Sequence, residues 1–120
     1  MRRTGLVVGA LVLMACAPGR VYSNDVNTTP TLAEAERLIS DAQQAGADSL
    51  ASEALTAARQ ALESARGLEQ RAERGRAQLE ALRAQAEARY ARATAERELA
   101  RREETRARAA LAALPPGGAR

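Results

Sequence analysis

The stretch from Thr31 to Leu114 contains no proline and is built almost wholly from Ala, Arg, Glu, Leu and Gln. These residues lose little on entering a helix, so the stretch predicts an all-α fold. Tyr90 is the one aromatic in it. Thr31 and Glu34 have the spacing of a capping box, which places the first helix start at Thr31. Gly46 offers a left-handed C-cap, so the first helix is expected to end near Ala45, with Gly46 and Ala47 forming the turn. Asp48 or Ser49 is then placed to cap a second helix.

Apolar residues fall at three-four spacing on both sides of that turn. Leu32, Ala35, Ile39 and Ala42 form one stripe, and Leu55, Ala58, Leu62 and Ala65 form another. A short connection between two such stripes predicts an antiparallel hairpin, because neither helix can bury its face alone. From Ala51, every seventh residue is apolar: Ala58, Ala65, Ala72, Leu79, Ala86, Ala93, Ala100, Ala107 and Leu114. The partner positions are uneven, with Leu55, Leu62 and Tyr90 apolar but Glu69, Arg76, Arg83, Arg97 and Glu104 charged. This pattern predicts a thin alanine seam on a long, coiled-coil-like second helix. Leu79, Leu82, Ala86, Tyr90 and Ala93 are its candidate interaction residues, with Leu99 a further contributor.

Arg59-Glu63, Arg76-Glu80, Arg83-Glu87, Arg92-Glu96, Glu98-Arg102 and Glu104-Arg108 all stand at i,i+4. Such pairs contribute about 0.2–0.5 kcal/mol each and help a helix persist in water. Gly67 and Gly75 each cost about 1 kcal/mol against alanine, but no strong turn residue lies between them. The expectation is therefore a continuous or gently bent second helix, in preference to a third antiparallel segment, with the Gly67–Gly75 stretch as the place where it could bend or break. Pro115, Pro116, Gly117 and Gly118 stop it, leaving residues 115–120 as a disordered tail.

The N-terminal segment carries a different signal. Arg2 and Arg3 precede an apolar run from Leu6 to Met14 that leads into Leu13-Met14-Ala15-Cys16. This is the layout of a secretory signal with a small-residue cleavage site. It resembles a bacterial lipobox, in which the peptidase cuts before a cysteine already carrying diacylglycerol. That resemblance makes Leu13, Ala15 and Cys16 the cleavage residues, residues 1–15 the signal and Cys16 the lipidated first residue of the mature chain. An uncleaved transmembrane anchor would need about 20 apolar residues, and this run is much shorter. A second alternative, an ordinary signal cut near Ala17, leaves Cys16 unlipidated. Each buried acyl methylene contributes about 0.8 kcal/mol, so two or three chains anchor a protein stably. Ala17 stands where an inner-membrane retention signal often has aspartate. By resemblance to Gram-negative sorting rules, the destination is the periplasmic face of the outer membrane.

Residues 16–30 are polar and turn-forming and read as the lipidated cysteine and a flexible tether; residues 31–114 form the helical domain. Cys16 is the single cysteine, so the body has no internal disulfide and depends on helix propensity and packing. All 18 basic residues are arginine, two of them in the signal, against 15 acids. The mature charge is close to neutral and the signs are interleaved, which argues for a solvated helical face rather than a nucleic-acid surface. Two tyrosines are too few for a base-stacking platform.

The segment Ala42-Gln-Gln-Ala45-Gly46-Ala47-Asp-Ser-Leu-Ala51-Ser-Glu-Ala-Leu55-Thr-Ala-Ala58-Arg-Gln-Ala61-Leu62, with Ala88-Arg-Tyr-Ala91-Arg-Ala93 further on, resembles a domain of unknown function (number 4398) found in bacterial envelope proteins. The similarity covers about Thr31 to Glu98. Ser52 departs from it, standing where that family commonly has proline, and so does the Gly67–Gly75 region. The resemblance implies an envelope location and an Ala-rich helical fold, and brings no activity or site residues.

Catalysis has little support in these residues. The chain has no histidine, no second cysteine and no glycine-rich phosphate loop, and its glutamates would be solvated on a narrow helix. No metal, cofactor or catalytic residue is expected. Two functions remain: a structural or protein-interaction lipoprotein that associates with itself or an envelope partner, or binding of an anionic envelope polymer, peptidoglycan or lipopolysaccharide. The second would use the run from Arg89 to Arg108, where seven arginines stand among four glutamates. A lysine-mediated covalent link to the cell wall is not expected, because the chain has no lysine.

Overall fold

A computed structural model describes residues 25–117. Among them are four helices and no strand: α1 (Thr29–Gln44), α2 (Ala47–Leu50), α3 (Ser52–Gln70) and α4 (Arg74–Ala112). The all-α fold anticipated from composition is what the chain adopts. The signal segment with Leu13, Ala15 and Cys16, most of the tether and residues 118–120 lie outside the described residues.

The N-cap of α1 is Thr28, three residues earlier than the capping-box spacing suggests. Pro30 sits in its first turn, where a fixed φ suits the helix and a missing N–H costs nothing. Asn27 Oδ1 accepts from the Thr29 amide at 3.2 Å. Neither Thr31 nor Glu34 caps this end, because Glu34 is held by Arg37 through two hydrogen bonds of 2.8 and 2.7 Å. Thr28, at the N-cap, donates its hydroxyl to Glu69 Oε2 on α3 at 2.6 Å.

The first turn follows the sequence reading. Gly46 has φ +86°, and its amide donates to the Gln43 carbonyl at 2.9 Å. A Cβ there would meet Leu50 Cδ1 at 3.5 Å, an ordinary contact, so backbone conformation and not space calls for glycine. Ala47 is fully buried beneath the single turn of α2. Neither Asp48 nor Ser49 caps α3, whose N-cap is Ala51. Asp48 instead accepts from Arg59 at 3.0 Å and ties α2 to α3.

The second turn corrects the expectation of a continuous helix. α3 ends at Gln70, and Ala72 takes φ +61°. The Glu73 amide donates to the Leu68 carbonyl at 2.9 Å and the Ala72 amide to the Glu69 carbonyl at 2.9 Å. This paired pattern is a Schellman cap with alanine at the left-handed position. Gly67 and Gly75 are both helical, so neither glycine makes the break. The chain reverses and α4 forms a third antiparallel segment.

Cross-helix bonds fix the arrangement. Arg66 on α3 reaches Glu36 at 2.6 Å, while Thr28 reaches Glu69, so α1 and α3 run antiparallel. Gln85 Nε2 donates to the Thr31 carbonyl at 3.0 Å and Arg92 lies 4.0 Å from Asp41, so α1 and α4 run parallel. The result is an up-down-up bundle in which α4 lies against both other long helices.

Its core is shaped by alanine. α4 contributes Ala77, Ala81, Ala84, Ala88, Ala91 and Ala95, all fully buried, at alternating spacings of four and three. Among the described residues, the buried apolar side chains larger than alanine are Leu38, Ile39, Leu55, Leu62 and Leu68, on α1 and α3. An all-alanine face lets α4 approach both partners closely, and leucines from the other helices fill what space remains. Ala95 is the last buried residue of α4; Glu96 and Leu99 still border the end of α1, and from Ala100 to Ala112 the helix is exposed.

Candidate interaction surface

The step-of-seven stripe splits at the Ala72 turn. Before that turn its members Ala51, the N-cap of α3, and Ala58 and Ala65 on α3 are in the core as expected. On α4 they are not: Leu79, Ala86, Ala93, Ala100 and Ala107 are all exposed. Because the turn resets the helical phase, α4 buries a different set, beginning at Ala77. The candidate residues Leu79, Leu82, Ala86, Tyr90 and Ala93 therefore share the outer side of α4, away from the core.

The large members of this face are well in solvent, with Leu79 52 %, Leu82 47 % and Tyr90 59 % exposed. Leu99 does not join them. It is displaced towards the inner side and flanks a shallow cleft at the end of α1 with Asp41, Gln44, Arg92 and Glu96. Tyr90 also borders an open groove of about 590 Å³ between the α2–α3 turn and α4, where Glu53, Ala57, Glu87 and Thr94 line the walls. The Thr94 hydroxyl is buried there without a hydrogen-bond partner. Nothing in the sequence alone points to this groove, because it exists only once α2 has formed and α3 has folded back.

The charges follow local and tertiary partners. Of the six anticipated i,i+4 pairs, Arg92–Glu96, Glu98–Arg102 and Glu104–Arg108 form. Arg59, Arg76 and Arg83 instead take Asp48, Glu73 and Glu80. Order alone does not decide this: arginine precedes glutamate, the less favourable order on a helix, in all three unformed pairs and also in Arg92–Glu96, which forms. Hydrogen bonding to Arg37 holds the Glu34 carboxyl below its ordinary value, and the same contacts raise the Arg37 guanidinium. Arg66 is raised chiefly by Glu36 and Glu63, and Arg92 by Glu96.

Within Arg89–Arg108, four arginines are already engaged: Arg92, Arg101, Arg102 and Arg108 each meet a glutamate on α4. Arg89 reaches Gln85 Oε1 at 3.5 Å and Arg97 the Ala93 carbonyl at 3.4 Å.

No family model, curated protein or solved structure matches this chain. The resemblance to the envelope domain thus rests on the Ala42–Leu62 and Ala88–Ala93 segments alone. Among the described residues, no group of three or more His, Cys, Asp or Glu side chains is placed to hold a metal ion. No described helix is long and apolar enough to cross a membrane. What the geometry offers is a surface: a rigid rod with one apolar face used inside its own bundle and a second left open.

Proposed function

We propose that this chain is a lipid-anchored protein of the bacterial cell envelope, tethered through Cys16 at the periplasmic face of the outer membrane, with a structural or protein-interaction role. The observation that carries the interaction role is the exposure of Leu79, Leu82 and Tyr90 along one side of α4 while the alanine core is complete without them. Large apolar residues aligned on one face of a rigid element mark a binding surface more often than scattered ones do. The lipobox-like Leu13-Met14-Ala15-Cys16 supports the anchor, and the segment resemblance agrees with an envelope location.

Polymer binding through Arg89–Arg108 is the weaker reading, because four of its seven arginines are engaged by neighbouring carboxylates. Binding to peptidoglycan or lipopolysaccharide that is abolished by salt would favour it over helix packing.

The test is the intact mass of protein extracted from native membranes, beside a Cys16→Ala variant, with inner and outer membranes separated. A mass of residues 16–120 plus acyl chains, confined to the outer membrane and lost in the variant, is the expected result. An unmodified chain in the soluble fraction would refute the anchor.

A further inference from the structure

We propose that the partner of the outer face of α4 is a second copy of this chain, paired antiparallel about a two-fold axis at Ala93. The proposal rests on the reading of that face as an interaction surface and names its occupant.

Two observations carry it. The first is length. α4 is covered by its own bundle from Ala77 to Ala95 and runs on from Glu96 to Ala112 with no buried residue. Each half is about 25 Å long at 1.5 Å per residue. With a two-fold at Ala93, the projecting half of each copy lies along the open outer face of the other copy's covered half. The bundles then sit on opposite outer sides of the α4 pair and do not collide. The exposed projection and the exposed stripe thereby cover one another.

The second observation is charge. The stripe Leu79, Ala86, Ala93, Ala100 and Ala107 has one flank made of Leu82, Arg89, Glu96 and Glu103 and another made of Arg83, Tyr90, Arg97 and Glu104. In an antiparallel pair with this symmetry, each flank meets the same flank of the other helix. Centring on Ala93 sets Ala86 against Ala100 and Leu79 against Ala107. It brings Arg89 beside Glu96, Arg83 beside Glu104, and Tyr90 beside Arg97 in a cation–π arrangement. Each contact occurs twice. Arg89 and Arg97, whose hydrogen bonds within α4 go to Gln85 Oε1 and the Ala93 carbonyl, gain the Glu96 carboxylate and the Tyr90 ring respectively. A parallel pair would instead set Glu103 beside Glu104 along the seam. Moving the antiparallel axis half a heptad, to between Glu96 and Arg97, would oppose Glu96 to itself and Arg97 to itself. The Ala93-centred arrangement is the one of these three without facing like charges.

The test uses the full chain in detergent extracted from native membranes, with the parent protein carrying Cys16 alone as blank. Ala86→Cys and Ala100→Cys, both at exposed positions, are made separately, oxidised alone and then mixed and oxidised. The expected result is a disulfide-linked dimer only in the mixture, because the two copies of residue 86 stand about 21 Å apart along the axis. Ala93→Cys, on the two-fold, should link to itself. Arg89→Glu should weaken association about five-fold, and Arg89→Glu combined with Glu96→Arg should restore it, with helicity unchanged by circular dichroism. Self-linking of Ala86→Cys alone would overturn the proposal in favour of a parallel pair. Failure of every cysteine to link a second copy would also overturn it. In that case capture of a different envelope protein at Ala93→Cys leaves the interaction-surface reading standing, whereas capture of nothing removes both.

Discussion

Ala72→Gly should stabilise this protein, and its sign separates two architectures. Ala72 occupies the left-handed position of the cap that ends α3, with φ +61°. An L-residue with a Cβ pays about 1–2 kcal/mol there, a penalty glycine avoids. Glycine also widens the unfolded ensemble, which returns about 0.4–1 kcal/mol. Ala72 is exposed, so no packing is lost with its methyl group. The net gain is about 1 kcal/mol, or 4–8 °C in melting temperature for a body of this size. Were residues 52–112 one continuous helix, the same substitution would place glycine in a helix interior and cost about 1 kcal/mol. Thermal unfolding followed by circular dichroism at 222 nm reads the difference directly. A lowered melting temperature would refute the reversal at Ala72 and with it the three-helix bundle.

Ala88→Leu should destabilise by about 1–3 kcal/mol in urea unfolding, because Ala88 is fully buried in the α4 seam. Ala86→Leu, two residues away but on the outer face, should stay within about 0.5 kcal/mol of the parent. Gly67→Ala should raise stability by about 1 kcal/mol at most, since Gly67 is helical and a Cβ there meets nothing within 4 Å; an unchanged or lowered melting temperature would count against that helical placement. Hydrogen bonding to Arg37 lowers the Glu34 pKa from its ordinary 4.5. The stabilisation is therefore fully present above that value and lost as pH falls through the lowered one. Melting temperature should hold between pH 7 and 5 and fall below about pH 4.5, and Arg37→Gln should reduce that fall.

Fold class and the first turn were legible because each depends on local chemistry. Helix formers fill residues 31–114, and Gly46 is the residue a left-handed cap selects. The second turn was legible only as a weak stretch between Gly67 and Gly75; its position was not, because its left-handed residue is an alanine. A search for glycine finds Gly67 and Gly75, which both sit inside helices. Tertiary packing overrides local preference here: folding back at Ala72 buries six alanines of α4 against α1 and α3, and that burial outweighs about 1–2 kcal/mol of backbone cost. The start of α1 was missed for a related reason. Thr28 is recruited by Glu69, a residue of α3 that no reading of local sequence would pair with it.

The same turn explains why a seven-residue repeat in this chain identified a face but not its role. Alanine is so abundant in α4 that two opposite sides both show apolar spacing. What separates them is the intervening position: on the inner side Ala77, Ala81, Ala84, Ala88, Ala91 and Ala95 keep both members of each heptad small and uncharged. On the outer side every second member is Arg, Glu or Tyr from Arg83 to Glu104. A strip with no charge on it can be sealed within one chain at little desolvation cost. A strip flanked by charges stays soluble while alone and is closed only by a partner whose charges answer them. The inner strip therefore specifies how α4 folds against its own chain, and the outer strip what it can be placed against. One helix carries both because its phase, reset at Ala72, puts each on its own side.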